Sequence, residues 1–232
     1  MNIKHYITSL HQSLLVAVLI TTLLFVTFFV VEPRIGLAVD SGPFTIKQTI
    51  TGEISFLVDA PNVVMSGSLN GVTGGTANGT STAVITTNSS TGYTMTIAYF
   101  DNGTGNAMLG DVTASEAIHD YVASSSEPTY GFHTSSSSSV FGYTATADNV
   151  SDVDLSFQDD GGGNCNASGT SNPGTCWMEP ATTTFQIIDR STSANSGATT
   201  TLNFRVYVPN SPSPALVTDV YTATATLTAL NQ

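Results

Sequence analysis

The chain has 232 residues, of which only 9% are charged, and five Lys and Arg face seventeen Asp and Glu for a net charge of −12. Partners that demand clustered basic side chains, nucleic acid and anionic membrane surfaces, are excluded on that balance.

Lys4 and no acidic residue precede LLVAVLITTLLFVTFFVV, Leu14 to Val31. A positive start followed by an apolar run is the layout of an export signal. Eighteen such residues also suffice to span a bilayer, which takes roughly 17–25. The small-x-small motif GLA, Gly36 to Ala38, follows. Residues 1–38 are therefore expected to be a cleaved signal peptide, with the mature start at Val39, or else a retained membrane anchor. Either way residues 39–232 are expected outside the cytoplasm, extracellular or on the cell surface, touching a membrane only through residues 14–31 if these are kept. In this part only Lys47, Arg190 and Arg205 oppose sixteen acids, a net −13 that favours solubility. Ser and Thr supply 57 of its 194 residues, a composition that suits strands and turns.

Period-two alternation then recurs along the chain. FTIKQTI sets Phe44, Ile46 and Ile50 on one face with Gln48, and EISFLVD does the same with Ile54, Phe56 and Val58. VVMSGSL and TAVITT are shorter candidates, and GYTMTIAYF alternates Tyr93, Met95, Ile97 and Tyr99 against small and polar residues. DVTASEAIHDYV, residues 111–122, is the one stretch that suggests a helical turn or two. VFGYTATA, VDLSFQ and TFQII follow as strands, then TLNFRVYV and the closing YTATATLTAL. Turn signals such as NSSTG, DNGTGN, DDGGGN and PNSPSP separate them. About ten short strands, each with one apolar face, predict an all-β chain. The expected architecture is a single Ig-like antiparallel β-sandwich over residues 39–232, preceded by the N-terminal signal or anchor helix.

Both cysteines fall in QDDGGGNCNASGTSNPGTCWMEP, residues 158–180. In an oxidising compartment Cys165 and Cys176 are expected to be bridged, stapling a loop without core-forming residues, with Trp177 packing its root. Calcium is the weaker reading of the same region. Asp159 and Asp160 sit among glycines, and DNVSDVD supplies Asp148, Asp152 and Asp154, yet neither cluster has EF-hand spacing. Zinc needs three or four Cys or His ligands, and His119 and His133 lie far from the cysteines. No metal and no other cofactor is expected.

Motifs for catalysis are missing: there is no GxSxG, no HExxH and no phosphate-binding glycine loop. The expectation is a protein that is not an enzyme. Lys47, the only lysine after residue 38, and Asn231 are the residues available for a Lys–Asn cross-link of the kind found in bacterial surface domains. The alternation that turns Ile46 inward points Lys47 outward, against the burial such a bond needs.

TTNSSTGYTMTI, residues 86–97, together with the closing VTDVYTATATLTAL, resembles secreted bacterial cell-surface proteins of the WxL-domain-like and spore-coat-protein-U-like β-sandwich type. That resemblance implies a β-sandwich at the cell surface. The sole tryptophan stands in CWM, so the paired Trp-x-Leu signatures are missing and wall binding is not implied. Two functions are carried forward. One is an envelope protein with a structural or adhesive role, assembling with itself or other envelope proteins through strand edges. The other is a ligand-binding module for carbohydrate or calcium, with Tyr121, Tyr130 and Trp177 as exposed aromatics.

Overall fold

The computed structural model describes residues 3–31, 45–67, 69–123, 127–167, 169 and 175–232. Two units divide the chain, Met1–Thr49 and Ile50–Gln232. The first contains one helix, α1 (Ile3–Val31). Its stretch Leu10–Phe28 is long and apolar enough to cross a membrane. Within it the hydroxyls of Thr21, Thr22 and Thr27 donate to carbonyls one turn back, so these polar groups are satisfied inside the helix. The motif at 36–38 lies outside the described residues.

The second unit is β-rich, with twelve strands among the described residues. A seven-stranded sheet runs in the order β1 (Ile54–Val58), β2 (Gly75–Thr87), β10 (Ala198–Val208), β7 (Val140–Ala147), β5 (Ala117–Asp120), β4 (Met108–Gly110), β11 (Tyr221–Ala223). A three-stranded sheet follows the order β12 (Ala225–Asn231), β3 (Tyr93–Tyr99), β9 (Phe185–Arg190). A short ribbon joins β6 (Thr129–Tyr130) to β8 (Cys176–Trp177). All described pairings are antiparallel except β5 with β7, which departs from the purely antiparallel expectation.

The two larger sheets meet across one core, and the alternation in the sequence selects it. β3 buries Tyr93, Met95, Ile97 and Tyr99, while β2 buries Ala83, Ile85 and Thr87 on its inner face. Tyr99 packs edge-on to Phe141 of β7, ring centroids 6.0 Å apart, and lies 5.4 Å from Tyr143. β7 is buried on both faces. Its outer face is covered because Gly142 has no side chain: a Cβ there would come within 2.9 Å of Tyr121 Cβ. Over this gap sit Tyr121, Phe132 and Trp177, with the Arg205 guanidinium 4.6 Å from the Trp177 ring and 5.4 Å from that of Phe132.

β11 and β12 are one extended stretch interrupted at Thr224. β11 pairs with β4 in the large sheet and β12 with β3 in the small one. Between them the Phe100 amide donates to the Thr224 carbonyl at 2.9 Å. A strand that changes sheets makes a corner of the fold.

Four expected elements differ from the sequence pattern. Residues 45–50 of FTIKQTI are exposed and belong to no strand; alternation specifies two faces, but a strand also needs a neighbour. Phe44 lies outside the described residues. VVMSGSL forms no strand among its described residues, which contribute the isolated bridge Ser66 to Asn78. DVTASEAIHDYV forms no helix: its residues 117–120 become β5, where pairing with β4 and β7 buries Ile118. VDLSFQ, residues 153–158, is not a strand: it contains the 3-10 turn Leu155–Phe157 and directly follows another, Val150–Asp152. Asn149 and Asp154 cap them by accepting from the Ser151 and Ser156 amides, a local bond that competes with extension.

The turn from β2 to β3 depends on Gly92, at φ +84, where a Cβ would stand 1.8 Å from the Arg190 carbonyl oxygen. Gly92→Ala is therefore expected to destabilise the unit by more than about 2 kcal/mol, through strain and a backbone clash together. Denaturant unfolding of the variant beside the parent protein checks this; equal midpoints would contradict it.

Candidate functional site: an open seam between sheet edges

After β1 the chain continues along β2 without regular pairing. Gly79 makes the approach possible, because a Cβ at that position would lie 2.4 Å from Val63 Cγ1 and 2.7 Å from Met65 Sδ. The Ser81 hydroxyl donates to the Pro61 carbonyl at 2.8 Å and the Ser66 amide to the Asn78 carbonyl at 2.7 Å. Residues 60–66 thus form an irregular margin of the large sheet. That sheet curls until this margin and β11 line the same cleft.

The cleft has a volume of about 400 Å³ and reaches the core. Val63, Met65, Tyr99, Phe141, Phe204 and Leu227 are among its walls. A second cleft of about 370 Å³ continues it past Met65, Met108 and Tyr221 toward Leu216. Two of the residues lining the first cleft, Val64 and Val220, are themselves exposed large apolar side chains. Single exposed apolar residues are ordinary, but exposed ones at the mouth of a largely apolar opening mark an interaction surface. Tyr99 is 5% exposed, and its hydroxyl has no hydrogen-bond partner. Burial pushes its pKa well up, with Tyr143 and Asp120 adding to the shift. A buried polar atom left unpaired costs stability.

One end of the seam is closed. The Thr87 hydroxyl lies 2.7 Å from the Glu53 carbonyl and 2.6 Å from Asn231 Oδ1. Asn88 accepts from the Glu53 amide through Oδ1 at 2.7 Å and donates from Nδ2 to the Thr51 carbonyl at 3.1 Å. Asn231, weighed as a cross-link partner of Lys47, is thus engaged with Thr87, and Lys47 is exposed.

The stapled loop is a different place. Cys165 and Cys176 form the expected disulfide, and Trp177 is buried beside it. Tyr121 is buried as well, so two of the three aromatics expected to be exposed are not available to a ligand; Tyr130 is. The five carboxylates weighed for calcium are separated by their tasks. Asp159 is wholly buried, accepting from the Gly161 amide and the Thr175 hydroxyl. Asp160 faces solvent and accepts from the Asn164 side chain and the Asn164 and Gly162 amides, which hold its pKa down. Asp152 is half of an ion pair with Arg190, Asp154 accepts from Ser156 and Gln186, and Asp148 is exposed. Among the described residues no three His, Cys, Asp or Glu side chains are grouped to hold a metal.

No family model, characterised protein or solved structure matches this chain. What can be said of the site comes from its own geometry. Sequence reasoning missed the seam, although the proline and glycines around residues 61–71 were a signal that the pattern breaks there.

Two measurements follow from these carboxylates and the staple. Burial raises Asp120 from the ordinary Asp value to about 6, opposed by the bond from the Ala107 amide and aided by Asp101 and Glu179. Its ionisation therefore costs stability, a cost complete above about pH 6 and absent below the unfolded-state pKa near 4. Asp120→Asn keeps the acceptor for Ala107. It is expected to stabilise by about 1 kcal/mol at neutral pH, allowing for solvent screening, and to give no gain near pH 4. A pH series of thermal melts decides it; an equal gain at both ends would refute the assignment. Cys165→Ser is expected to lower stability by up to about 3 kcal/mol with the far-UV β signal kept, because the bridge closes a local loop. Loss of that signal would show that the bridge holds the sheets themselves.

Proposed function

We propose that this is an exported cell-envelope protein with a structural or adhesive role, assembling through strand edges. The apolar helix α1 and the disulfide support export, since disulfides persist in oxidising compartments. The two facing sheets and the sheet-changing last strand support an Ig-like sandwich as its architecture. The observation that carries the functional reading is the seam: a largely apolar cleft into the core, lined by residues 60–65 of the irregular margin, by β11 and by Ala225 and Leu227 of β12, with Val64 and Val220 exposed. Edges of this kind are templates for another chain.

A second reading is kept because about 400 Å³ falls within the range of small-ligand pockets. Aliphatic and aromatic side chains outnumber polar ones such as Asn62, Ser81 and Thr222 in the walls, which supports assembly ahead of carbohydrate binding.

Sedimentation of the protein, recovered in the form its host exports, tests the choice. With no ligand added, the mean mass is expected to rise with protein concentration. A species monomeric at every concentration that binds immobilised glycans would establish the ligand-binding module instead.

A further inference from the structure

We infer that a small pocket where the loop after β3 meets the end of β5 binds the ammonium group of a small organic amine. The inference stands apart from the assembly reading and does not depend on it.

The pocket has a volume of about 250 Å³, and Tyr99, Asp101, Ala107, Asp120 and Pro180 are among its walls. Backbone contacts fix these walls in place. The Asp101 carboxylate accepts from the Gly103, Thr104 and Gly105 amides and so curls the loop DNGTGN. The loop is then tied to β5 twice. The Asp120 amide donates to Asn106 Oδ1 at 3.2 Å, and the Ala107 amide donates to Asp120 Oδ1 at 2.9 Å. On the far side the Tyr99 amide donates to the Ala181 carbonyl at 2.8 Å.

Two acceptors in these walls are unused. Asp120 spends Oδ1 on the Ala107 amide, and among the described residues its Oδ2 accepts no hydrogen bond. Tyr99 is 95% buried, and its hydroxyl has no partner at all. Tyr99 lines both this pocket and the seam, but Asp120, whose charge acts on that hydroxyl, lines this pocket and not the seam. Negative charge is also left without an answer here. Asp101 and Glu179, which immediately precedes Pro180, both act on Asp120 and oppose its ionisation. Arg190 and Arg205 are the only Lys or Arg side chains of Ile50–Gln232. Arg190 is paired with Asp152 and Arg205 lies over Trp177, so a counter-ion for this pocket has to come from outside the unit.

The donor set selects the kind of cation. A coordinated metal needs several ligands grouped around one point, and no three His, Cys, Asp or Glu side chains of the described residues are so grouped. Both oxygens of Asp101 are moreover already occupied by loop amides. An ammonium asks for less: it carries three N–H donors and no acceptor, and it is held by separate acceptors within a negative field. Asp120 Oδ2 and the Tyr99 hydroxyl oxygen are those acceptors, and Asp101 and Glu179 supply the field. The volume is below the range of pockets for drug-sized ligands, which suits a head group with a short alkyl stem against Pro180 and Ala181.

Amide NMR shifts of the full chain, recovered after export and held at about pH 8, where Asp120 is ionised, test the assignment. Ethylammonium is the probe; tetramethylammonium and sodium, of equal charge but without N–H donors, are the controls at matched ionic strength. Saturable shifts are expected at Gly105 and Ala107 with ethylammonium alone. Asp120→Asn keeps the acceptor for Ala107, and Tyr99→Phe removes only an unpartnered hydroxyl, so neither variant is expected to melt below the parent. Each is expected to weaken ethylammonium binding by about tenfold or more, as befits a lost hydrogen bond to a charged group. Shifts that do not saturate, or that the two controls reproduce, would mean screening of an acidic surface and overturn the inference. Parental affinity in either variant overturns it as well.

Discussion

The switch of the last strand between sheets at Thr224 is the constraint on which the rest of the unit depends. One continuous stretch must satisfy β4 on one side of the break and β3 on the other, and the Phe100 amide fixes the crossing point. Because β12 is committed to the small sheet, its second edge has no strand beside it. The large sheet curls toward that edge but ends in the irregular residues 60–66, which are held to β2 by Gly79, Ser66 and Ser81 instead of a full ladder. An opening into the core results, and its walls are core residues. A fold that closed completely would have buried Val64 and Val220; here they remain in solvent.

The opposite face shows what a finished surface of this protein looks like. There Gly142 lets Tyr121 descend onto β7, Phe132 and Trp177 close over it, and Arg205 covers the rings while its Nε donates to Asn78 Oδ1. The disulfide tethers Cys165 of the loop to Cys176, next to this cluster. Its position explains why the cysteine loop, chemically the most conspicuous stretch of the sequence, is structural in its packing. The carboxylates around it are consumed as caps and ion-pair partners. Each oxygen that accepts an amide proton is stabilised where it stands and is withdrawn from a shared ligand cluster.

An acidic chain with so few positive groups places weight on each of them. Arg190 pairs with the buried Asp152 and also donates to the Thr192 and Ser193 carbonyls, so it joins β9 to the adjoining 3-10 turn and loop. Arg205 serves the aromatic cluster. Lys47 alone among the three basic residues after position 38 has no partner of this kind in view, and it sits on the exposed segment that precedes β1.

The sequence by itself determined what depends on short-range pattern and composition: the apolar N-terminal helix, the β-rich body, most strand positions and the inner faces of β2, β3 and β10. Two cysteines close in a chain with an export-type start were enough to expect the bridge. Alternation could do this because side-chain direction along a strand is local. Tertiary structure decided which strands have neighbours, and that is not local. FTIKQTI and EISFLVD alternate equally well, yet only the second finds β2; Ile118 reads as helical until β4 and β7 flank it. Tyr121 and Trp177 looked like exposed aromatics until a glycine in a distant strand made room for them. The seam itself is an absence of pairing between two edges far apart in sequence, and no window of residues carries that information.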